Sequence, residues 1–173
     1  MNTVDNLAPL SLPWHATGRS CVLGKEFPDI AYNEVLVDTF ATRLVMKPQD
    51  FDVVVTTNTF GDILSDAAAG LTGGLGLAAG LSAGPDRAMA QATHGSAPDI
   101  AGKNIANPYA MIVSGQMLLE WLGRKHGEPK AAEAAQLMDK AIDRVIRERK
   151  TLTGDLGGKA STSQMGDAIA AAV

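Results

Sequence analysis

An α/β fold, with a mixed sheet flanked by helices, is what the sequence predicts, and three observations carry it. The apolar period changes several times along the 173 residues. A β-branched run, Val53-Val54-Val55, leads directly into turn residues and a helical pattern. The last third of the chain alternates alanines with charges at helical spacing. At 46% hydrophobic and 20% charged, the composition is that of an ordinary globular chain.

Taken in order, alternating apolar residues from Ala31 to Val37 predict a strand, and Thr39 to Met46 a short helix ended by Lys47-Pro48. Phe51 to Thr57 reads as a strand covered on both faces, because its β-branched run is continuous. Asn58 or Thr59 then caps a helix running through Gly61 to Ala69, with Asp62 in its first turn, where a negative charge suits the helix dipole. The charge-free stretch Ala67 to Pro85 holds six glycines, at 70, 73, 74, 76, 80 and 84, and suits a flexible connection better than a membrane span. Pro108 to Leu122 reads as a buried helix with Gly123 as its terminator. Glu128 to Lys150 reads as a surface helix with acid and base neighbours, and Gly154 to Lys159 as a turn. Ser161 or Thr162 caps a last helix reaching Val173.

A formal charge of −4 supplies no basic footprint for nucleic acid. The single cysteine, Cys21, excludes an internal disulfide and a thiolate-clustered metal site. No basic region followed by an apolar run opens the chain, so the expectation is a cytoplasmic protein with neither a nucleic-acid nor a membrane partner.

Two strings carry chemistry. In Asn58-Thr59-Phe60-Gly61-Asp62-Ile63-Leu64-Ser65-Asp66, the acids Asp62 and Asp66 stand four apart, about 6 Å along one helix face. They form either a solvated acidic face or an oxygen-donor pair for a hard divalent cation such as Mg²⁺ or Mn²⁺, which would relieve their repulsion. The second string runs His94-Gly95-Ser96-Ala97-Pro98-Asp99-Ile100-Ala101-Gly102-Lys103-Asn104-Ile105-Ala106-Asn107-Pro108. Gly95 permits close backbone approach to a ligand, Pro98 fixes a turn, and nearby backbone N–H groups can meet phosphate oxygens. His94 offers a ring for stacking on adenine, and Asn107 a donor and an acceptor to the adenine edge. Asp99 can accept from both hydroxyls of an adenosine ribose yet would repel a 2′-phosphate, which favours NAD over NADP.

Together these strings resemble the carboxyl-terminal half of the metal-dependent decarboxylating dehydrogenases of isocitrate, 3-isopropylmalate and tartrate or D-malate, from about Lys25 onward. The resemblance implies a partial isopropylmalate-dehydrogenase-like fold. It also implies NAD- and Mg/Mn-dependent oxidation and decarboxylation of a small-molecule 2-hydroxy acid. Residues His94, Gly95, Ser96, Ala97, Pro98, Asp99 and Asn107 would bind the cofactor. Asp62 and Asp66 would bind the metal from one subunit, with Asp38 of Leu36-Val37-Asp38 reaching in from the other.

Several departures bound that reading. The family's catalytic lysine and tyrosine, and the arginines that grip the substrate, have no counterpart here: the tyrosines are Tyr32 and Tyr109, and the sole lysine before Asp38 is Lys25. Gln91 stands where the family commonly has a glutamate three residues before the histidine. The resemblance places 1–71 in the small, dimer-forming domain, with 1–24 divergent, and 72–173 in the carboxyl-terminal part of the large cofactor-binding domain. The chain is therefore expected to be inactive alone, as a truncated product or one half of a two-chain enzyme, and to associate as a homodimer or with a missing amino-terminal half. The alternative is a non-catalytic nucleotide-binding or regulatory subunit, or an inactive remnant. Cys21, Trp14 and Trp121 are read as packing residues, and the identity of the 2-hydroxy acid is not encoded in these strings.

Overall fold

The computed structural model describes residues 2–5 and 26–173, so Trp14, Cys21 and Lys25 lie outside the described residues. The chain divides into two compact units, Met1–Leu71 and Thr72–Val173.

The first unit holds a three-stranded parallel sheet in which Asn2–Asp5 lies between Asn33–Leu36 and Val54–Thr56. Its central strand β1, Asn2–Asp5, lies in the stretch that sequence reading left without an element. β2, Asn33–Leu36, pairs Asn33 with Asn2 and passes directly into α1, Val37–Met46. An acid in the first turn, Asp38, favours that start through the helix dipole. At the other end the Lys47 N–H bonds to Arg43 O at 2.7 Å, and Pro48 opens a 3₁₀ turn, Pro48–Asp50, where its missing N–H costs nothing. α1 buries Phe40 and Leu44, one turn apart, against Leu64, and the Phe40 ring meets Phe51 at 4.7 Å.

β3, Val54–Thr56, is an edge strand among the described residues, with Val54 37% exposed and Val55 and Thr56 only partly buried. The expectation of a strand covered on both faces is thereby corrected. α2 is Asn58–Leu71, so Asn58 is the first helical residue and not a cap, and Asp62 lies beyond the first turn. The Asn58 amide instead donates to Asp62 Oδ2 at 3.1 Å.

The second unit opens where Gly73 and Gly74, at φ near +117° and +116°, take a conformation closed to other residues. A 3₁₀ turn, Leu75–Leu77, and an antiparallel hairpin of β4, Leu81–Ala83, with β5, Ala88–Ala90, follow. The stretch expected to be a flexible connection thus contains a helix end, a turn and a strand. Parallel and antiparallel pairing both occur, but in separate sheets.

α3, Tyr109–His126, runs through Gly123 and ends at Gly127, whose φ of 64° supplies the left-handed C-terminal turn. Gly123 therefore does not terminate this helix. Ala110, Ser114 and Gly123 are buried and most of the other residues are partly covered, while Met111 is half exposed, so the helix is less enclosed than its composition suggested. α4, Pro129–Glu148, is capped by Glu128, whose carboxylate accepts from Lys130 N. Its buried residues Ala135, Ala141, Ile142 and Val145 follow the helical period. Its outer face carries the i,i+4 pairs Arg144–Glu148 and Asp143–Arg147 at 3.0 and 2.7 Å. After a 3₁₀ turn, Gly154–Leu156, Ser161 caps α5, Thr162–Ala170, through a reciprocal capping box with Gln164. Met165 and Ile169 of α5 join Ile142, Val145 and Leu152 in the core of this unit.

Candidate functional site

The hairpin leads into the string that begins at His94. Beyond β4 and β5 its ladder continues through Gln91 N to Gly80 O at 3.0 Å and Thr93 N to Ala78 O at 3.1 Å, so the chain leaves the hairpin at His94. Gly80 is needed there, because a Cβ would stand 2.6 Å from Gln91 O. From α3, the fully buried Ser114 donates to Ala110 O and accepts from Gly80 N at 3.1 Å, fixing the hairpin on the helix. The side chain of Gln91 is exposed, and its backbone carries the structural contact.

Past the hairpin, His94 Nδ1 lies 3.0 Å from Gly95 O, and Ala97 adopts a left-handed φ of 42° before the 3₁₀ turn Pro98–Ile100. His94, Gly95, Ser96 and Ala97 line an open depression of about 400 Å³, together with 100–102, 104–106 and Thr162 of α5. That size suits part of a nucleotide. The far wall is held to α5: Thr162 N donates to Asn104 O at 2.9 Å, and Ser163 N and Oγ donate to Asn104 Oδ1 at 3.2 and 3.1 Å. Asn104 sits at φ 55°, a left-handed conformation that asparagine tolerates better than most residues.

Pro98 and Asp99 do not line the depression; Asp99 is exposed in the 3₁₀ turn. Asn107 does not line it either. Its Oδ1 accepts from Tyr109 N at 2.9 Å and its Nδ2 donates to Asp155 Oδ2 at 2.9 Å. The side chain expected to read an adenine edge is thus engaged within the protein, satisfying one of the orphan donors at the start of α3. Sequence reading missed Thr162, Asn104 and Ser114. Only the Ser161-Thr162-Ser163-Gln164 capping pattern pointed toward α5, and nothing local linked it to the loop.

In the first unit, Asp38, Asp62 and Asp66 are all exposed. Asp38 Oδ1 accepts from Thr39 N at 2.6 Å at the opening of α1. Asp62 and Asp66 lie one turn apart on α2. Among the described residues no three acidic, histidine or cysteine side chains come together to hold a metal, so one protomer does not gather these acids. The all-oxygen donor pair on α2 is nonetheless the chemistry a hard divalent ion takes. Tyr32 bonds to Glu34 at 2.8 Å, and Tyr109 packs against the core of the second unit.

Comparison with known proteins shows the family. Residues 6–169 match the family model described as isocitrate/isopropylmalate dehydrogenase, so the likeness starts well upstream of Lys25, correcting the expected start there. The chain is 50% identical over 151 residues to the isocitrate/homoisocitrate dehydrogenase of Thermus thermophilus, covering 87% of this chain and 43% of that protein. It is 45% identical over 148 residues to the 3-isopropylmalate dehydrogenase of Methanothermobacter thermautotrophicus, covering 86% and 43%. The crystal structure of isocitrate dehydrogenase from Methylococcus capsulatus superposes with a TM-score of 0.86 at 45% identity, covering 99% of this chain and 49% of that one. A β-decarboxylating dehydrogenase from Thermococcus kodakarensis, in its apo form, gives 0.75 at 33% identity, covering 99% and 48%. The chain spans less than half the length of these relatives.

Proposed function

The chain belongs to the isocitrate/isopropylmalate dehydrogenase family, and from that premise we propose that it carries the cofactor loop and metal-binding acids of an NAD- and Mg/Mn-dependent enzyme that oxidises and decarboxylates a 2-hydroxy acid. When bound, the dinucleotide accepts the hydride and the divalent ion acts as a Lewis acid on the substrate oxygens.

The residues of this chain hold and orient. The hairpin and Ser114 set where His94 enters the loop, and the His94–Ala97 backbone forms one wall of a depression whose other wall is braced by Thr162. That depression is the observation that carries the reading. Asp99, exposed in the middle of the adjoining turn Pro98–Ile100, would accept from a ribose and disfavour a 2′-phosphate. Asp62 and Asp66 would hold the ion from one face of α2, with Asp38 supplied by a second copy. Exposed Val45, Met46 and Ile63 in the first unit support such an association.

Turnover by the chain alone is not part of the proposal, since the chain spans 43% of the length of each of these two relatives. A second reading, a nucleotide-binding subunit without hydride transfer, draws on the same fact. NADH absorbance separates the two, followed with isocitrate, 3-isopropylmalate and malate and Mn²⁺, with and without the amino-terminal segment of a relative supplied in trans. A metal-dependent rate only in the complemented mixture is expected. A rate from the chain alone would overturn the proposed incompleteness, and no rate in either mixture would favour the subunit reading.

A further inference from the structure

One carboxylate in the second unit has a role that the loop's own sequence does not reveal. Asp155 lies in the 3₁₀ turn Gly154–Leu156, 48 residues beyond Asn107, and its two oxygens are both engaged. Oδ2 accepts from Asn107 Nδ2 at 2.9 Å, and Oδ1 accepts from Thr153 Oγ1 at 2.6 Å. Thr153 is completely buried, and Asn107 is 9% exposed. The third side of the pair is closed by Gly76, where a Cβ would stand 3.0 Å from Asp155 Oδ2 and 3.3 Å from Asn107 Cβ. The orientation of the Asn107 amide is dictated, because its oxygen must face the Tyr109 N–H and its NH₂ must therefore face an acceptor. A carboxylate supplies only acceptors, and the Thr153 hydroxyl orients it.

The pair stands at the exit of the loop. Just upstream, Asn104 and Ala106 are tied to Thr162 and Ser163, and Thr162 lines the depression. Ala97, on the opposite wall, holds a left-handed φ that a non-glycine residue keeps only where its surroundings over-determine it. A loop so shaped depends on both of its ends being fixed.

We propose that Asp155 is a positioning residue for the cofactor loop: by fixing Asn107 it anchors the exit of the loop and sets the affinity of the His94 depression for a nicotinamide dinucleotide. It acts through Asn107 and needs no contact with the ligand. The inference rests on the reading of the depression as the cofactor seat.

Calorimetric titration of NAD into the full chain tests it, reading stoichiometry and Kd separately. Asp155→Ala removes the acceptor and is expected to weaken binding about tenfold at unchanged stoichiometry, the scale of one hydrogen bond. Asn107→Asp sets two carboxylates face to face and should weaken it at least as much. The reciprocal double variant Asn107→Asp/Asp155→Asn recreates every donor–acceptor pair and should return Kd to within about threefold of the wild type. A merely structural role would lower the stoichiometry and leave Kd unchanged. That result, wild-type affinity in Asp155→Ala, or failure of the double variant to recover would overturn the inference while leaving the seat standing. A wild-type chain that binds no NAD would overturn the seat and the inference together.

Discussion

Gly123 of α3 meets Ala132 of α4 so closely that a Cβ on the glycine would stand 2.9 Å from both the Cβ and the backbone nitrogen of Ala132. The two helices approach there because one carries no side chain and the other carries only a methyl. Gly123→Ala adds a methyl against backbone that cannot swing aside. Alanine's helix propensity favours the change by up to about 1 kcal/mol, but overpacking costs about 1–3 kcal/mol. A net loss of stability is expected, seen as a lower guanidinium midpoint at unchanged m-value.

Ser114 is the bridge between α3 and the hairpin that feeds His94. Ser114→Ala removes the acceptor for Gly80 N and should cost about 1–2 kcal/mol, as expected for a part-buried donor left unpaired. Amide hydrogen exchange at Gly80 should speed up more than exchange at the α4 core. Uniform acceleration across the unit would place the bridge elsewhere.

Glu148 titrates in a way its partners determine. The hydrogen bond from Arg144, then that from Lys150, holds its carboxyl below the usual carboxylate range. A lowered folded value means that the stabilising contribution is complete above the ordinary carboxylate range and is lost as pH falls through the folded value. Carboxyl NMR should find the Glu148 midpoint below that of an unpaired glutamate. Arg144→Ala or added salt should move it upward, because the pair is exposed and screened.

Legibility varied with how local the deciding interaction is. α4 and α5 were readable because alanine–charge alternation and the Ser161 cap are written within one or two turns. β1 was not, since Asn2–Asp5 is a strand only by pairing with β2 and β3, far along the chain. Val53-Val54-Val55 announced a strand but not how many neighbours it has. Gly123 was read as a helix stop because glycine serves both ends and close contacts, and only Ala132 reveals which. Asn107 is the same problem at the site: its amide reads as ligand-facing until Asp155, distant in sequence, is seen to take it. The two chemical strings themselves were legible, since their residues are contiguous.

The proposal that two protomers share one cation is tested most directly by Mn²⁺ electron paramagnetic resonance on mixed variants. Asp38→Asn and Asp62→Asn proteins should each lose tight Mn²⁺ binding when pure. Mixed and allowed to exchange subunits, they should regain one bound ion per mixed dimer, because one of its two sites keeps Asp38 from one copy and Asp62 with Asp66 from the other. Wild-type binding that survives in pure Asp38→Asn protein, or no recovery in mixtures shown to exchange, would contradict a metal site built from these three acids.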